Sequence, residues 1–297
     1  MNSDVFKADA LAGKSILITG GGSGLGCEIA KALAKKGAAI HICGRRPAVL
    51  EEAAREIADA GPGKVATHVC DIRDADAVDA MIDAVWSHGP LTGLVNNAAA
   101  NFISPTKELS ARGFRAVSST VMDGSFHVTL ATGKRWIAEG LHGAVVSNLV
   151  TWVWTGSAFV VPSAMSKSAL HAMTMSLAVE WGPYGIRLNA TAPGPFPTEG
   201  AGEKLNPLPD TRSSATSADN VPLRRYGRME ELQNLLVFLL SDGCEYINGQ
   251  TIAIDGGQHL AGPGTFADLT ALTDEQWRAA REAIRESVAR EKASRAQ

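Results

Sequence analysis

The stretch Thr19-Gly20-Gly21-Gly22-Ser23-Gly24-Leu25-Gly26 constrains this chain more than any other. It follows a short apolar run, Ser15 to Thr19, and precedes Cys27 to Lys36, where apolar residues recur at helical spacing until Gly37 closes the helix. Glycines at 20, 22, 24 and 26 between a strand and a helix let the backbone come close to a pyrophosphate, which the helix N-terminus stabilises. A glycine pattern alone makes only a tight turn; the flanking strand and helix turn it into a dinucleotide signal, with Ser23 and Leu25 in the same loop.

The rest of the chain repeats the alternation. Ala39 to Cys43, Val65 to Cys70, Leu94 to Asn96, Gly143 to Val150, Ile186 to Ala192 and Thr251 to Ile254 read as strands. Pro47 to Ala60, Ala75 to Trp86, a long stretch from Phe114 to Ala138, Ala164 to Trp181 and Glu230 to Leu240 read as helices. Strands buried on both faces and separated by helices predict an α/β Rossmann fold, a doubly wound parallel sheet flanked by helices, with residues 1–297 as a single dinucleotide-binding domain. Pro193 to Arg225 is too rich in Pro, Gly, Ser and Thr, and too long, for a routine connection, and reads as a substrate-covering segment. Residues 264–297 form a tail in which Asp274 to Glu291 is a charged amphipathic helix.

Charge and cysteine usage narrow the class. A net charge of −3 gives no general attraction to nucleic acid. The four cysteines, Cys27, Cys43, Cys70 and Cys244, show no metal-ligand spacing and read as buried thiols in a reducing compartment. Without a secretory pattern or a membrane-length apolar run, the expected location is the cytoplasm.

At the end of the second strand, where an acid would bond the ribose hydroxyls of NAD, the chain has Cys43-Gly44-Arg45-Arg46. Paired guanidinium donors suit a 2′-phosphate, so Arg45 and Arg46 favour NADP(H), the alternative being two solvated surface charges. Asp71, with Ile72 beside it after the third strand, is placed to accept from the adenine amino group. Asn96-Asn97-Ala98-Ala99 ends the fourth strand beside the expected ribose, and each of these can alternatively cap a helix or turn.

The ordered set of the glycine turn, Asn96-Asn97-Ala98-Ala99, Lys167 and Pro193-Gly194 resembles the short-chain dehydrogenase/reductase superfamily over nearly the whole chain. Within it the chain is most similar to mitochondrial-type 2,4-dienoyl-CoA reductases. NNAAANFISPT from Asn96, GSAFVVPSAMSK from Gly156, AVEWGPYG from Ala178, APGP from Ala192 and GTFADLTALTDEQW from Gly264 carry the likeness. The resemblance implies NADPH-dependent reduction of an unsaturated acyl-CoA thioester, through a dienolate whose charge needs an oxyanion site. It also implies a homotetramer built on the stretches 114–138 and 164–181, and it adds Pro193, Gly194 and Phe196 to the cofactor residues.

The same resemblance assigns the reaction centre and exposes two departures. Most of the superfamily carries a tyrosine four positions before the lysine; here that position is Ser163, as in the dienoyl-CoA reductases. Lys167, one helical turn later on the same side, bonds nicotinamide-ribose hydroxyls and adds positive potential. The subfamily's catalytic tyrosine, eleven positions before that serine, is Trp152 here. An indole N–H donates a hydrogen bond but does not release its proton at neutral pH. Asp123 stands where the subfamily has an asparagine; ionised, it repels an oxyanion, and neutral, it is a donor or general acid. Lys204 matches a cation for the CoA phosphates or is simply solvated, and Phe102, Trp154 and Phe159 line an acyl pocket or belong to ordinary packing. The two departures leave open a reductase of another enone or ketone, a redox-neutral lyase or isomerase, and a nucleotide-binding scaffold.

Overall fold

The computed structural model describes residues 5–197, 218–262, 273–276, 278, 279 and 282. Seven strands form one sheet, all parallel: β1 (Ser15–Thr19), β2 (Ala39–Gly44), β3 (Val65–Val69), β4 (Gly93–Asn96), β5 (Gly143–Asn148), β6 (Ile186–Pro193) and β7 (Thr251–Ile254). Their order is β3-β2-β1-β4-β5-β6-β7, so the winding reverses between β1 and β4. A crevice opens at that switch point above the carboxyl ends of the strands, where doubly wound sheets bind ligands.

The helices are α1 (Gly24–Lys35), α2 (Pro47–Ala60), α3 (Ala75–Trp86), α4 (Ala111–Ser118), α5 (Gly124–Glu139), α6 (Trp152–Thr155), α7 (Val161–Trp181) and α8 (Met229–Leu240). Alternation along the strands sorts them into two layers. Ile16, Ile18, Ile40, Ile42 and Val146 point to one face and pack with Ile29, Leu33, Leu50, Ile57, Leu232 and Leu236 from α1, α2 and α8. Leu17, Leu94, Val145 and Leu188 point to the other and meet Val78, Ile82, Val128, Trp136 and Trp181 from α3, α5 and α7. The four cysteines are free and buried within this framework. Among the described residues no helix is long and apolar enough to cross a membrane.

Three local features depart from the sequence reading. The single helix expected over 114–138 is two helices joined by a π-helical turn, Ser119–Asp123. The Ser119 hydroxyl donates to the Arg115 carbonyl at 2.6 Å, a contact that bends helices, and Gly124 packs so tightly on Ile72 that a Cβ there would sit 2.6 Å from its side chain. The fifth strand stops at Asn148 rather than Val150, and the single-turn α6, which the periodicity did not register, follows it.

The sheet and its helices belong to a compact unit, Met1–His259, and Leu260–Gln297 forms a second unit. Within the expected tail helix, residues 274–276, 278, 279 and 282 are helical. Of the segment 193–225, residues 198–217, Lys204 among them, lie outside the described residues.

A histidine cluster on the outer strands makes stability depend on pH. His41 of β2 is buried, its Nδ1 lies 3.0 Å from His68 Nε2 on β3, and His88 closes the group edge-on to both rings. Burial first, then the neighbouring imidazoles, pushes His41 down to about 4, and burial and His88 lower His68. The fold therefore disfavours protonation of His41 and His68, whereas the unfolded chain takes up protons below about pH 6.5. Stability is therefore fully present above that value and falls as pH drops towards 4, by roughly 1 kcal/mol per pH unit for His41 alone. Urea midpoints measured at pH 7.5 and pH 5 should show this fall, and His41→Leu should make it shallower.

Candidate active site

A cavity of about 650 Å³ occupies the crevice at the switch point. Gly20, Gly22, Ser23, Gly24 and Leu25 line it from the glycine turn, Arg45 and Arg46 from the end of β2, and Asp71 and Ile72 from the end of β3. Asn97, Ala98 and Ala99 enter after β4, Asn148 at the end of β5, Trp152 from α6, and Ser163 and Lys167 from α7. The fold thus gathers into one space residues scattered from position 20 to position 167.

The glycines fit a close-approaching dinucleotide for separate reasons. Gly20 has φ +65° and packs on Ala98, whose Cα would lie 2.9 Å from an added Cβ. Gly26 does not line the cavity; a Cβ there would fall 2.4 Å from both Asn97 Nδ2 and the Gly20 carbonyl, so glycine is required for α1 to reach the loop. Gly24, with φ +54°, lines the cavity and has no atom within 4 Å of the place a Cβ would take, leaving its backbone open to a ligand.

A polar seam holds the carboxyl ends of four strands together. Thr19 Oγ1 accepts from the backbone N–H of Asn97 and of Ala98, both at 3.0 Å. Asn97 Nδ2 donates to the Thr19 carbonyl at 3.1 Å, and Asn97 Oδ1 accepts from Asn148 Nδ2 at 3.1 Å. Asn148 Oδ1 accepts from the Thr191 hydroxyl at 3.3 Å, and the Asn148 carbonyl accepts from Lys167 Nζ. Asn148 is the residue the sequence reading missed; its place at a strand's carboxyl end, the rule that located Asn97, was the available signal. Thr120 lines the cavity from the π-helical turn, and no sequence pattern announced it.

Lys167 and Ser163 are both buried, one turn apart on α7. Burial pushes the Lys167 ammonium down to about 8, and no carboxylate contributes to that shift. Trp152 reaches the cavity half-buried from α6. The chain's three tyrosines, Tyr184, Tyr226 and Tyr246, do not line it, so the reaction end holds an indole, a hydroxyl and a cation but no phenol.

Other expected residues take different positions. Asp123 ends the π-helical turn, half-buried, while Thr120 is the residue of that turn lining the cavity. Phe102 packs in a small apolar cluster with Val117, Val121, Leu149 and Leu170, and its neighbour Asn101 lines the cavity instead. Phe196 is buried, its ring filling the space above Gly227, and it lines a second cavity of about 350 Å³ with Pro195, Arg225 and Asp255. Pro193 ends β6, and the Gly194 N–H donates to the Ile254 carbonyl at 3.0 Å. Phe159 is exposed and holds a positive φ of 65°, a strained geometry for an aromatic residue. Its carbonyl accepts from Ser104 N–H at 2.9 Å. The Asp71 carboxylate is taken by Arg73, whose Nε lies 2.8 Å away, and this contact, with help from Arg45, holds the acid below its usual range.

Residues 20–259 match the family described as Enoyl-(Acyl carrier protein) reductase. The chain is 42% identical over 249 residues to a probable 2,4-dienoyl-CoA reductase of Bacillus subtilis (strain 168), described as (2E)-enoyl-CoA-producing, covering 83% of this chain and 97% of that protein. It is 38% identical over 301 residues to a probable 2,4-dienoyl-CoA reductase of Caenorhabditis elegans, described as (3E)-enoyl-CoA-producing, covering 98% and 96%. The crystal structure of a short chain dehydrogenase from Bacillus anthracis str. 'Ames Ancestor' matches with a TM-score of 0.74 at 41% identity, over 83% of this chain and 96% of that one.

The chain is a short-chain dehydrogenase/reductase. It is an oxidoreductase whose fold binds a nicotinamide dinucleotide, and its relatives bear out the likeness to 2,4-dienoyl-CoA reductases read from the motifs. One solved neighbour, at 31% identity and TM-score 0.77, is described as a putative NAD(P) dependent gluconate 5-dehydrogenase from Beutenbergia cavernae with bound NADP, so family membership alone leaves the choice of dinucleotide to the residues of the adenosine end.

The buried lysine of this short-chain reductase carries a stability cost that can be measured. Its folded value of about 8 lies below the unfolded 10.5, so keeping it charged near neutral pH opposes folding, and that penalty fades as pH rises through about 8. Lys167→Met should therefore raise the ligand-free Tm at pH 7 by a few degrees while turnover falls at least about a hundredfold. Calorimetry on the two proteins reads the first effect and initial rates the second.

Proposed function

We propose that this reductase transfers hydride from NADPH to an α,β-unsaturated acyl-CoA thioester of the 2,4-dienoyl type. The observation that carries the reading is that Trp152, Ser163 and the buried Lys167 line one cavity with no tyrosine among its lining residues. Carbonyl reduction needs a positioned proton donor for an alkoxide, whereas a thioester dienolate needs first a set of donors for its oxygen. The relatives described as 2,4-dienoyl-CoA reductases support the substrate class.

NADPH is favoured by the adenosine end. Arg45 and Arg46 stand exposed on the cavity rim with no acid at the end of β2, and Arg73 occupies Asp71. Guanidinium groups bind a 2′-phosphate through paired, charge-assisted hydrogen bonds.

Bound NADPH supplies the hydride, which adds to C5 of the diene. The Trp152 N–H and the Ser163 hydroxyl donate to the thioester oxygen as negative charge moves onto it, and the Lys167 ammonium makes the potential there more positive, which stabilises that charge. Neither Trp152 nor Ser163 is an acid near neutral pH, and the Lys167 ammonium is engaged by the Asn148 carbonyl, so water protonates the dienolate. Protonation of a dienolate by solvent is fastest at C2, which makes the product a 3-enoyl thioester, with one hydride and one proton added in all. Asp123 acts on the site through the π-helical turn that presents Thr120. Lys204 is the proposed cation for the CoA phosphates, and the segment 193–225 the proposed cover.

Self-association as a homotetramer belongs to the same reading. α5 exposes Phe126, and α7 exposes Met165, Met175 and Val179, apolar side chains that a helix-paired assembly buries.

NADPH consumption with 2,4-dienoyl, 2-enoyl and 3-ketoacyl thioesters tests the substrate class. Oxidation should be fastest with the dienoyl compound, and in D2O the product should carry deuterium at C2. Consumption with the ketoacyl thioester alone overturns the reading. Replacing Arg45 and Arg46 together by Ala should weaken NADPH binding by about 10- to 100-fold and leave NADH binding within about twofold. Equal losses for both dinucleotides would remove the arginines from 2′-phosphate recognition.

A further inference from the structure

The single turn of α6 cannot hold itself together. One helical turn fixes several backbone dihedrals for a single hydrogen bond, so it persists only where side chains anchor it. Successive residues on a helix point about 100° apart, and here three consecutive ones go three ways. Trp152 enters the cavity, Val153 packs into the small cluster with Val121, Leu149 and Leu170, and Trp154 lies against two histidines.

The histidine contact is the more specific anchor. The Trp154 ring lies over that of His259 with centroids 5.0 Å apart and planes at 34°, and its edge meets His171 at 6.2 Å. Trp154 is nevertheless 42% exposed, so these rings provide much of what it rests on. Both histidines are fixed from behind. His171 Nδ1 lies 2.9 Å from the Thr251 hydroxyl on β7. His259 is held twice by one carboxylate oxygen: its ring N–H donates to Asp255 Oδ2 at 2.7 Å and its backbone N–H at 2.8 Å.

Asp255 is itself a rigid point. It follows β7 directly, it is buried, and its other oxygen accepts from the Gly257 N–H at 2.9 Å. It packs so closely on Gly194 that a Cβ there would lie 2.7 Å from its own. Burial acts to raise the acid, and the backbone and ring N–H groups of His259 outweigh it and keep the carboxyl below its usual range. A continuous chain of contacts therefore runs from the end of β7, through Asp255, His259 and Trp154, to the turn that carries Trp152.

We infer that His259, clamped by Asp255 and packed at a tilt against Trp154, is a positioning residue that holds Trp152 in the cavity. His259 is absent from the residues lining the cavity, so its effect passes through α6. The inference rests on the reading of the Trp152 N–H as a donor to the thioester oxygen, and the test separates the two.

His259→Ala should lower kcat about tenfold with the KM for NADPH unchanged, because the cofactor end of the cavity is built elsewhere. His259→Phe keeps a ring under Trp154 and should recover most of the rate. Trp154→Ala should show the same defect, and the double Ala variant should be no worse than either single one, since both remove one contact. A second measurement needs no turnover. With Trp154→Phe throughout, the Trp152 contribution is read as the difference in emission between proteins with and without Trp152→Phe; adding His259→Ala should at least halve its quenching by bound NADPH and increase its quenching by acrylamide.

An unchanged kcat in His259→Ala overturns the inference. So do multiplying losses in the double variant, or a folded His259→Phe no better than His259→Ala. If no thioester is turned over, the substrate reading fails and the fluorescence measurements decide alone. Unaltered NADPH and acrylamide quenching then refutes the positioning role.

Discussion

The hydrogen bonds of Asn148 are the constraint on which the rest of the site depends. Its side chain and carbonyl join Asn97, Thr191 and Lys167, and through Asn97 the linkage reaches Thr19 and the glycine turn. Thr19, Asn148 and Thr191 are buried near strand ends, where an unpaired donor or acceptor costs about 1–3 kcal/mol, so each bond makes the loss of the next more expensive. The seam therefore sets the glycine turn, the loop after β4 and the helix α7 in one frame. Gly26 is the steric counterpart: the position where a side chain would break the seam by displacing the Asn97 amide.

Within that frame Lys167 is deliberately costly. Its ammonium is buried against a single carbonyl, with burial alone lowering its affinity for a proton. A buried cation without a carboxylate retains its field for whatever negative charge enters the cavity, instead of having it neutralised in advance. The same logic explains the company it keeps. In the proposed reaction a tyrosine would add an acid where the dienolate needs hydrogen-bond donors, and the indole of Trp152 would offer a donor that does not ionise.

The sequence reading succeeded where the deciding interactions lie between chain neighbours. Strand and helix periods placed the alternation, and the spacing of Ser163 and Lys167 put them on one side of α7, because a helical turn converts an interval of four into adjacency. It was less able to say which side chains face the cavity. Phe102 and Phe196 read as ligand-contacting residues, yet both rings turn inward, one to an apolar cluster and one onto Gly227. Apolar side chains next to a crevice gain more by leaving water than by lining it, and only packing reveals which way they turn. The break at 119–123 was likewise illegible, since it depends on Gly124 meeting Ile72 from another layer.

By itself the sequence determined the parallel α/β architecture, the dinucleotide turn, the arginines at the end of β2 and the replacement of the usual phenols by Ser163 and Trp152. The first three follow from residue type and short-range periodicity, which act through the local backbone; the fourth is read from the likeness to the superfamily. The tertiary structure alone decided that Asn148 ties three strands and a helix together, that Lys167 is stripped of water, and that α6 leans on His259. Those outcomes come from contacts between residues 19, 97, 148 and 191, or 154 and 259, and no local preference encodes a contact whose partners meet only when the sheet closes.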